Sequence, residues 1–276
     1  GVRVAFAAGY ARSGGGDGTM RIIEGISYLS SPSIESAGVV HAFLSRRGGV
    51  SSPPFDTLNF DPRDTDTSQN IRENIRRISR AFNIKGERLV TVNQVHGGSV
   101  HLVTEKNLGI TPPDADAIIT NLKSIPIGIM TADCLPILIY DPVNHAIGAA
   151  HGGWKGTALG VAMRTLEAME ASFGTRAKDV SVALGPHIGP CCYHVKENVI
   201  DEFEKAFGDT SAYVKKTEGG FTLDLSGATF AQLTEAGVAP GNITALCPCT
   251  ACNNNDFFSY RKDGGRTGRQ LSFITL

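Results

Sequence analysis

The sequence lacks an excess of charge of either sign. Its 26 lysine and arginine residues nearly balance 27 aspartate and glutamate residues, so the formal net charge is −1 and the calculated pI is near 6.7. Proteins that bind nucleic acid or anionic membranes by electrostatics need a basic surface, so this composition argues against both partners. Aromatic residues make up only 7% of the chain, which also argues against binding by base stacking.

Long hydrophobic runs are also missing. No apolar run approaches the roughly 20 residues that a membrane-spanning helix needs. The 276 residues, with 41% hydrophobic and 19% charged residues, are instead typical of a globular cytoplasmic protein. We expect a monomer or a small homo-oligomer, with a partly flexible N-terminal extension at 1–37 and a single catalytic domain at 38–276.

The cysteines do not have the even spacing of a secreted disulfide scaffold. They lie at positions 134, 191, 192, 247, 249 and 252. We therefore expect reduced thiols in an intracellular protein. Adjacent Cys191 and Cys192 are poorly placed to chelate one metal together, and the single CxxC motif from Cys249 to Cys252 is a weak metal signal. Both clusters are interpreted either as structural elements or as residues that gate access to a site.

Apolar periodicity predicts strands alternating with amphipathic helices. Strands are predicted at 38–45, 88–95, 99–104, 114–120, 125–131, 180–184, 222–225, 243–247 and 270–276. Helices are predicted at 68–82, 157–173, 195–207 and 226–236, with Ser68 and Ser226 as N-caps. Both strands and helices are therefore expected along most of the chain after residue 37.

A predicted hairpin carries the first functional signal. Cys134 opens one apolar run and His151 closes the next, with turn residues Asp141, Pro142 and Asn144 between them. Pairing of the two runs would bring the Cys134 thiol close to the His151 imidazole. Such a pair indicates either a metal site or a nucleophile with its base.

A third strand-end side chain completes a possible ligand set. His96 precedes two glycines at the end of a predicted strand, whereas His101 lies within a strand and is interpreted as an ordinary packing residue. A catalytic zinc site usually has three protein ligands and one open position, which His96, Cys134 and His151 would supply. The alternative is a cysteine hydrolase in which Cys134 is the nucleophile and His151 the base.

Two glycine-rich turns carry basic residues that are suited to anions. Arg46 begins the basic turn before Gly48, and Lys155 lies in the glycine-rich junction 152–156 between a strand and a helix. Backbone amides at such positions bind phosphate groups. Arg261, in the C-terminal tail, is a further basic candidate.

Eight motifs together resemble the laccase-domain (YfiH-like) family, which has been described both as multicopper polyphenol oxidases and as purine nucleoside phosphorylases. They are SRRGGVS at 45–51, LNF at 58–60, NQVHG at 93–97, ADCLP at 132–136, AHGGWKG at 150–156, GPHIGPCCYHV at 185–195, CTAC at 249–252 and FFSYRKDGGRTGRQ at 257–270. The resemblance covers about residues 38–276 in order.

The resemblance implies a single-domain, four-layer α/β/β/α sandwich with mixed sheets. It implies zinc bound by His96, Cys134 and His151, with copper as an alternative metal. The implied activities are phosphorolysis of adenosine, inosine, guanosine and methylthioadenosine, and deamination of adenosine. As site hypotheses, Asp133 or His187 would move a proton during catalysis.

The basic candidates complete these site hypotheses. Arg46, Lys155 and Arg261 would hold phosphate, so the expected partners are a small-molecule nucleoside and phosphate.

Three other functions remain open at this point. The first is the cysteine hydrolase, which would edit peptidoglycan. The second is a copper-dependent polyphenol oxidase (laccase), although a laccase needs a trinuclear histidine-rich copper cluster besides a His₂Cys site, and the 7 histidines of this chain are scattered. The third is a zinc-stabilised binding module without catalytic activity.

Overall fold

The structure is a computed structural model, and it describes residues 19–63, 66–111 and 113–276. Strands in the described part of the chain are β1 Arg21–Ile23, β2 Ile26–Leu29, β3 Val40–Leu44, β4 Val100–Leu102, β5 Ala117–Thr120, β6 Ile127–Thr131, β7 Leu135–Asp141, β8 Ala146–Gly152, β9 Ser181–Leu184, β10 His194–Val195, β11 Val214–Thr217, β12 Gly220–Leu223, β13 Ile243–Ala245 and β14 Gln270–Thr275. Helices are α1 Pro32–Glu35, α2 Ser68–Phe82, α3 Trp154–Ala158, α4 Val161–Phe173, α5 Glu197–Phe207 and α6 Leu225–Glu235.

Two large sheets, the first antiparallel and the second mixed, pack face to face and bury the inner core. The first sheet has the order β1-β2-β3-β14-β6, and the second has the order β13-β9-β7-β8-β5-β4. Phe43 and Ile129 of the first sheet and Ile118 and Leu138 of the second belong to one buried cluster. These strands are apolar on both faces because each sheet is covered on both sides.

Helices cover the outer faces of both sheets. Ile78 of α2 packs with Phe273 on the outside of the first sheet. Leu166 of α4 and Phe203 of α5 pack with Ile137 on the outside of the second sheet. A small third sheet, in the order β10-β12-β11, lies beside them. The expected α/β/β/α layering is therefore confirmed, and the second sheet is mixed, with a parallel pair at each edge.

The predicted hairpin is formed by β7 and β8. The two strands are antiparallel, and Pro136 lies opposite His151. Asp141 closes the turn, because its Oδ1 atom accepts the backbone N–H groups of Val143 and Asn144 at 2.8 and 3.1 Å. This Asx-type bonding is the turn chemistry that the sequence indicates.

The segment 88–95 is not the predicted strand. It forms only isolated bridges, from Val90 to Ile127 in the first sheet and from Asn93 to Asp114 near the second. The Gln94 side chain then replaces main-chain pairing, because its amide donates to the carbonyl of Met130 and accepts the Met130 N–H, both at 2.8 Å. The segment therefore crosses from one sheet to the other.

Three helix predictions also need correction. The predicted helix 157–173 is two helices, α3 and α4, separated where Gly160 takes a left-handed conformation with φ 73°. The N-caps are Thr67 rather than Ser68 and Asp224 rather than Ser226, and each cap side chain accepts a backbone N–H of the first turn. In both cases the capping residue is the neighbour one or two positions upstream that can accept this bond.

The chain before residue 38 contributes to the first sheet, although no element is predicted there. Strand β1 pairs with β2, and β2 pairs with β3 through Tyr28 and Leu44. The earlier part of the predicted extension, 1–18, lies outside the described residues. Among the described helices, none has the length and apolar character to cross a membrane.

Candidate metal centre

Three side chains from separate parts of the chain meet at one point. His96 follows the crossing segment, Cys134 precedes β7, and His151 lies near the end of β8. One ligand atom from each lies within 4.8 Å of the others. The Cys134 Sγ atom is 3.9 Å from His96 Nε2, and the two imidazole rings are 4.9 Å apart between centroids. The structure thus brings together the three residues that the sequence selects as metal ligands.

Asp116 positions both histidines. Its carboxylate is fully buried and accepts a hydrogen bond from His151 Nδ1 at 2.8 Å. The same carboxylate accepts the backbone N–H groups of Val95, His96 and Gly97 at 3.3, 2.9 and 2.5 Å. These bonds hold His96 in a left-handed conformation, with φ 59°, which is uncommon for a non-glycine residue. One carboxylate therefore fixes the backbone of one ligand and the ring of another.

Gly153 leaves the space that the site needs. A Cβ atom at this position would lie 2.9 Å from His96 Cδ2 and 3.2 Å from Cys134 Sγ. Any other residue would therefore press on two of the three side chains. This close approach explains the glycine at position 153, directly after β8.

The donor set fits a zinc ion. Cysteine sulfur and imidazole nitrogen are the ligands that zinc prefers, and tetrahedral zinc places such atoms roughly 3.5 Å apart. The separation of 3.9 Å between Cys134 and His96 is close to this value. Because Asp116 occupies His151 Nδ1, the Nε2 atom of that ring is left for a metal, in the carboxylate–histidine arrangement typical of zinc sites.

Electrostatics in the site favour a thiolate next to a charged imidazole. Burial disfavours the charged form of Cys134, but the charge of His151 and hydrogen bonds from both imidazoles lower the pKa of the thiol to about 6. Burial also opposes the charge on His151, yet Cys134 and Asp116 raise the pKa of this imidazole to about 9. The thiol is therefore ready to act as a metal ligand or as a nucleophile.

Asp133 lies next to Cys134 in the chain, but its polar contacts are with two other loops. Its Oδ1 atom accepts the Thr250 hydroxyl at 2.6 Å, and its Oδ2 atom accepts the Arg261 N–H at 2.7 Å. Its carbonyl oxygen accepts the Ile188 N–H at 2.9 Å. His187 is buried, and its Nδ1 atom is paired with the Gly185 carbonyl oxygen at 3.0 Å.

The three basic candidates have different surroundings. The Arg46 guanidinium donates to the carbonyl oxygens of Asp56 and Asn254 at 2.8 and 3.0 Å, so it joins two loops. Lys155 is exposed in the first turn of α3, two residues after Gly153.

The guanidinium of Arg261 lies over the ring of Tyr193, 5.4 Å from the centroid. Burial and the charge of Cys134 raise the pKa of Tyr193. The Arg261 N–H donates to Asp133, the residue before Cys134, so the backbone of Arg261 lies close to the candidate centre.

The two cysteine clusters, which the sequence keeps separate, come together in space. We call this group the cysteine quartet: Cys191, Cys192, Cys249 and Cys252. Its sulfur atoms lie within 4.8 Å of one another. Three of its members, Cys191, Cys192 and Cys252, line a cavity of about 610 Å³ together with Arg261 and Lys262.

The sequence did not indicate Asp116 as a functional residue, and it indicated Gly153 only as part of the anion-binding junction 152–156. A signal for Asp116 was present, because it is a charged residue at the start of the fully buried strand β5. Charged residues are rarely fully buried unless they are paired. No sequence signal shows that Gly153 lies against two ligands, because that contact depends on the position of His96.

The fold and the site define a class: two-sheet α/β/β/α proteins with a His₂Cys centre at the end of a central hairpin. Residues 40–276 match the family model described as multi-copper polyphenol oxidoreductase laccase. The chain belongs to this family, as the sequence motifs indicated.

Relatives and solved structures support the same assignment. The chain is 38% identical over 252 residues to "Purine nucleoside phosphorylase" of Deinococcus radiodurans, covering 91% of this chain and 94% of that protein. It is 34% identical over 258 residues to "Purine nucleoside phosphorylase LACC1" of Mus musculus, covering 91% of this chain but only 58% of the mouse protein. The crystal structure of YlmD from Geobacillus stearothermophilus superposes with a TM-score of 0.87 at 33% identity, covering 92% of this chain and 97% of that one.

Proposed function

We propose that this protein is a zinc-dependent purine nucleoside phosphorylase that also deaminates adenosine. The proposed substrates are adenosine, inosine, guanosine and methylthioadenosine. The observation that carries the proposal is the convergence of His96, Cys134 and His151, with ligand atoms within 4.8 Å of one another. The names of the relatives support the purine nucleoside as substrate.

His96, Cys134 and His151 would hold the zinc ion. When bound, zinc supplies Lewis-acid activation of water and polarisation of oxygen or nitrogen groups on the substrate. Asp116 keeps His151 in one tautomer and orientation. The absence of a side chain at Gly153 keeps the space next to Cys134 and His96 free.

Phosphorolysis requires a bound phosphate next to the ribose. A phosphate oxygen bonds to C1′ while the bond from C1′ to N9 of the purine breaks, and the base leaves with the bonding electrons and takes up a proton. Lys155 and Arg261 are proposed to hold the phosphate, because both are exposed cations, one two residues after Gly153 and the other bonded through its N–H to Asp133. Arg46 contributes by fixing the loop that carries Asn254.

Deamination uses the same centre with water in place of phosphate. Water adds to C6 of the purine and ammonia leaves, so one proton must move from the water to the departing nitrogen. Asp133 is the proposed proton carrier, since it adjoins Cys134. For this role it must give up its hydrogen bond from Thr250 or from Arg261.

Product analysis tests the proposal. Zinc-replete protein is incubated with adenosine, with and without inorganic phosphate, and the bases and nucleosides are separated by chromatography. Adenine that forms only with phosphate, together with ribose 1-phosphate, demonstrates phosphorolysis. Inosine that forms in both reactions demonstrates deamination. Absence of adenine, inosine and hypoxanthine from zinc-replete protein would refute the purine assignment.

Two cysteine variants provide the matched control. Cys134→Ser should abolish both activities because it removes a metal ligand. Cys247→Ser should retain them, because Cys247 lies elsewhere and its thiol contacts the Leu184 carbonyl oxygen. Equal activity in both variants would show that the His₂Cys centre is not the catalytic site.

A cysteine hydrolase remains the second candidate, because the lowered pKa of Cys134 and the raised pKa of His151 also suit a nucleophile and its base. Such an enzyme would cleave peptidoglycan fragments without metal and would lose this activity when Cys134 is alkylated. A phosphorylase would lose activity on zinc removal and regain it on zinc addition. For a copper polyphenol oxidase, the described residues contain no second histidine cluster, so no structural observation favours that function.

A further inference from the structure

The cysteine quartet has the spacing of a second metal site. The Cys252 Sγ atom is 3.6 Å from Cys191 Sγ and 3.4 Å from Cys192 Sγ. Four thiolates around one zinc ion, with bonds of roughly 2.3 Å, lie about 3.8 Å apart. All four sulfur atoms of the quartet are within 4.8 Å of one another, so a small adjustment of side chains would close a tetrahedron around one ion.

The main chain holds the two halves of the quartet against each other. The sequence spacing suggests that adjacent Cys191 and Cys192 are poorly placed to share a metal, but both sulfur atoms approach Cys252. A turn at Gly189, whose carbonyl oxygen accepts the N–H groups of Cys192 and Tyr193 at 2.9 and 3.0 Å, presents them on one side. A Cβ atom on Gly189 would lie only 3.3 Å from the Cβ of Cys249 and 3.4 Å from the sulfur of Cys191. The glycine therefore permits the close approach of the two segments.

The second half of the quartet lies on a tight turn that begins at Cys249. The N–H of Asn253 bonds to the Cys249 carbonyl oxygen at 3.0 Å and so forms the turn that returns Cys252 to the site.

We propose that the cysteine quartet binds one zinc ion in a closed four-thiolate site, separate from the His₂Cys centre. Four thiolates leave no open position, which is the pattern of a structural rather than a catalytic zinc ion. An iron–sulfur cluster fits less well, because its larger cage would hold the cysteines further apart. Arg261 and Lys262 line the same cavity and offset the net negative charge of four thiolates around a divalent ion.

The second zinc ion would stabilise the two loops that hold Asp133 next to the His₂Cys centre. The quartet joins the loop 185–193 to the turn 249–252. Both segments also hold Asp133, through the Ile188 N–H at 2.9 Å and the Thr250 hydroxyl at 2.6 Å. Because Asp133 adjoins Cys134, the quartet zinc fixes the backbone at a catalytic-centre ligand without touching it.

Metal analysis of purified protein under reducing conditions tests this inference. Wild type should contain two zinc ions per chain. Cys252→Ser should contain one, and so should Cys134→Ala, which removes a ligand of the other centre. The double variant should contain none, and the matched control Cys247→Ser should contain two.

Cobalt replacement identifies the ligands independently of zinc counting. Cobalt-loaded Cys134→Ala should keep the strong sulfur-to-metal charge-transfer and visible bands of a tetrahedral four-thiolate site. Cobalt-loaded Cys252→Ser should lose them. A circular dichroism spectrum equal to that of wild type shows that each variant is folded, and both Cys191 and Cys252 are exposed, so Cys191→Ser provides a second variant of the same site.

Three outcomes overturn the inference. One is wild-type protein that holds no more than one zinc ion, lost on substitution of Cys134. Another is Cys252→Ser with the same zinc content as wild type. The third is a quartet that, in freshly purified reduced protein with excess zinc, is found by mass spectrometry as a disulfide, which would identify a redox pair instead. Wild-type protein that holds two zinc ions but shows no phosphorylase or deaminase activity would contradict the proposed function and would not contradict the second zinc site.

Discussion

Replacing Asp116 with asparagine tests whether this carboxylate positions the two histidines of the His₂Cys centre. The side chain keeps its shape but offers one acceptor oxygen in place of two. Suppose that this oxygen keeps the hydrogen bonds from the His96 N–H and His151 Nδ1. The new amide group then faces the N–H groups of Val95 and Gly97, which in the wild type donate to Asp116 at 3.3 and 2.5 Å. Two donors therefore lose their acceptor.

The cost follows from these contacts. Each unsatisfied buried donor costs about 1–3 kcal/mol, and relief from burying a charge offsets part of the sum. We expect Asp116→Asn to lower the free energy of unfolding by about 2–3 kcal/mol, or roughly 4–10 °C in melting temperature. Because the ring of His151 is no longer fixed, zinc affinity should fall roughly 10–100-fold.

Thermal melting in chelator measures the first effect, and competition with a fluorescent zinc chelator measures the second. The control is Asp114→Asn, which changes an exposed carboxylate two residues away and should alter neither quantity. If Asp116→Asn melts like this control and binds zinc as tightly as wild type, Asp116 does not position the ligands.

The difference between wild type and Asp116→Asn should depend on pH. Burial alone would raise the pKa of Asp116, but the hydrogen bonds from His151 and the Gly97 N–H outweigh it and lower the pKa. A carboxyl group with a lowered folded-state pKa contributes stability above its unfolded pKa of about 3.9. That contribution is lost as pH falls through the folded-state value, so the two melting temperatures should converge in acid.

Three further predictions concern the same region. In metal-free protein, the rate of Cys134 alkylation by iodoacetamide should rise with pH, with a midpoint near pH 6, because the pKa of the thiol is lowered to about 6. His151→Ala should move this midpoint towards 9.0, the ordinary pKa of the thiol. Equal midpoints in the two proteins would refute the ion pair between Cys134 and His151. Gly153→Ala should weaken zinc binding at least tenfold, measured by chelator competition, whereas Gly241→Ala, where a Cβ meets nothing within 4 Å, should not. Gln94→Ala should cost about 2–4 kcal/mol in urea unfolding, because two buried main-chain groups of β6 lose their partners; a change below about 0.5 kcal/mol would contradict that role.

Much of the fold could be predicted from the sequence because its signals are local. The helix 68–82 has the predicted bounds, since a regular apolar stripe and a cap define it. The hairpin from Cys134 to His151 followed from two apolar runs and an Asx-type turn. Prediction failed where local pattern and tertiary pairing disagree, as at 88–95, where a strand-like sequence crosses between sheets and Gln94 supplies the pairing.

Some residues of the candidate metal centre could also be predicted from the sequence, and others could not. Cys134 and His151 share a hairpin, so their proximity followed from turn chemistry, and His96 was selected from its position before two glycines at a predicted strand end, with support from the family motifs. Asp116 could not be placed from spacing, because its role depends on three amides that approach it from a distant segment. The meeting of the cysteine quartet was equally hidden, because Cys192 and Cys249 come together only through the packing of two irregular loops.

The crossing segment from Val90 to His96 has a mechanical consequence. Its start is fastened to the border of one layer at Ile127, and its end supplies a ligand to a centre whose other two ligands belong to the opposite layer. Because Asp116 ties the backbone of His96 to the second layer, slippage of one layer over the other would stretch the short segment of chain between Val90 and this anchor. The alignment of the two halves of the sandwich is thus coupled to the geometry of the candidate centre.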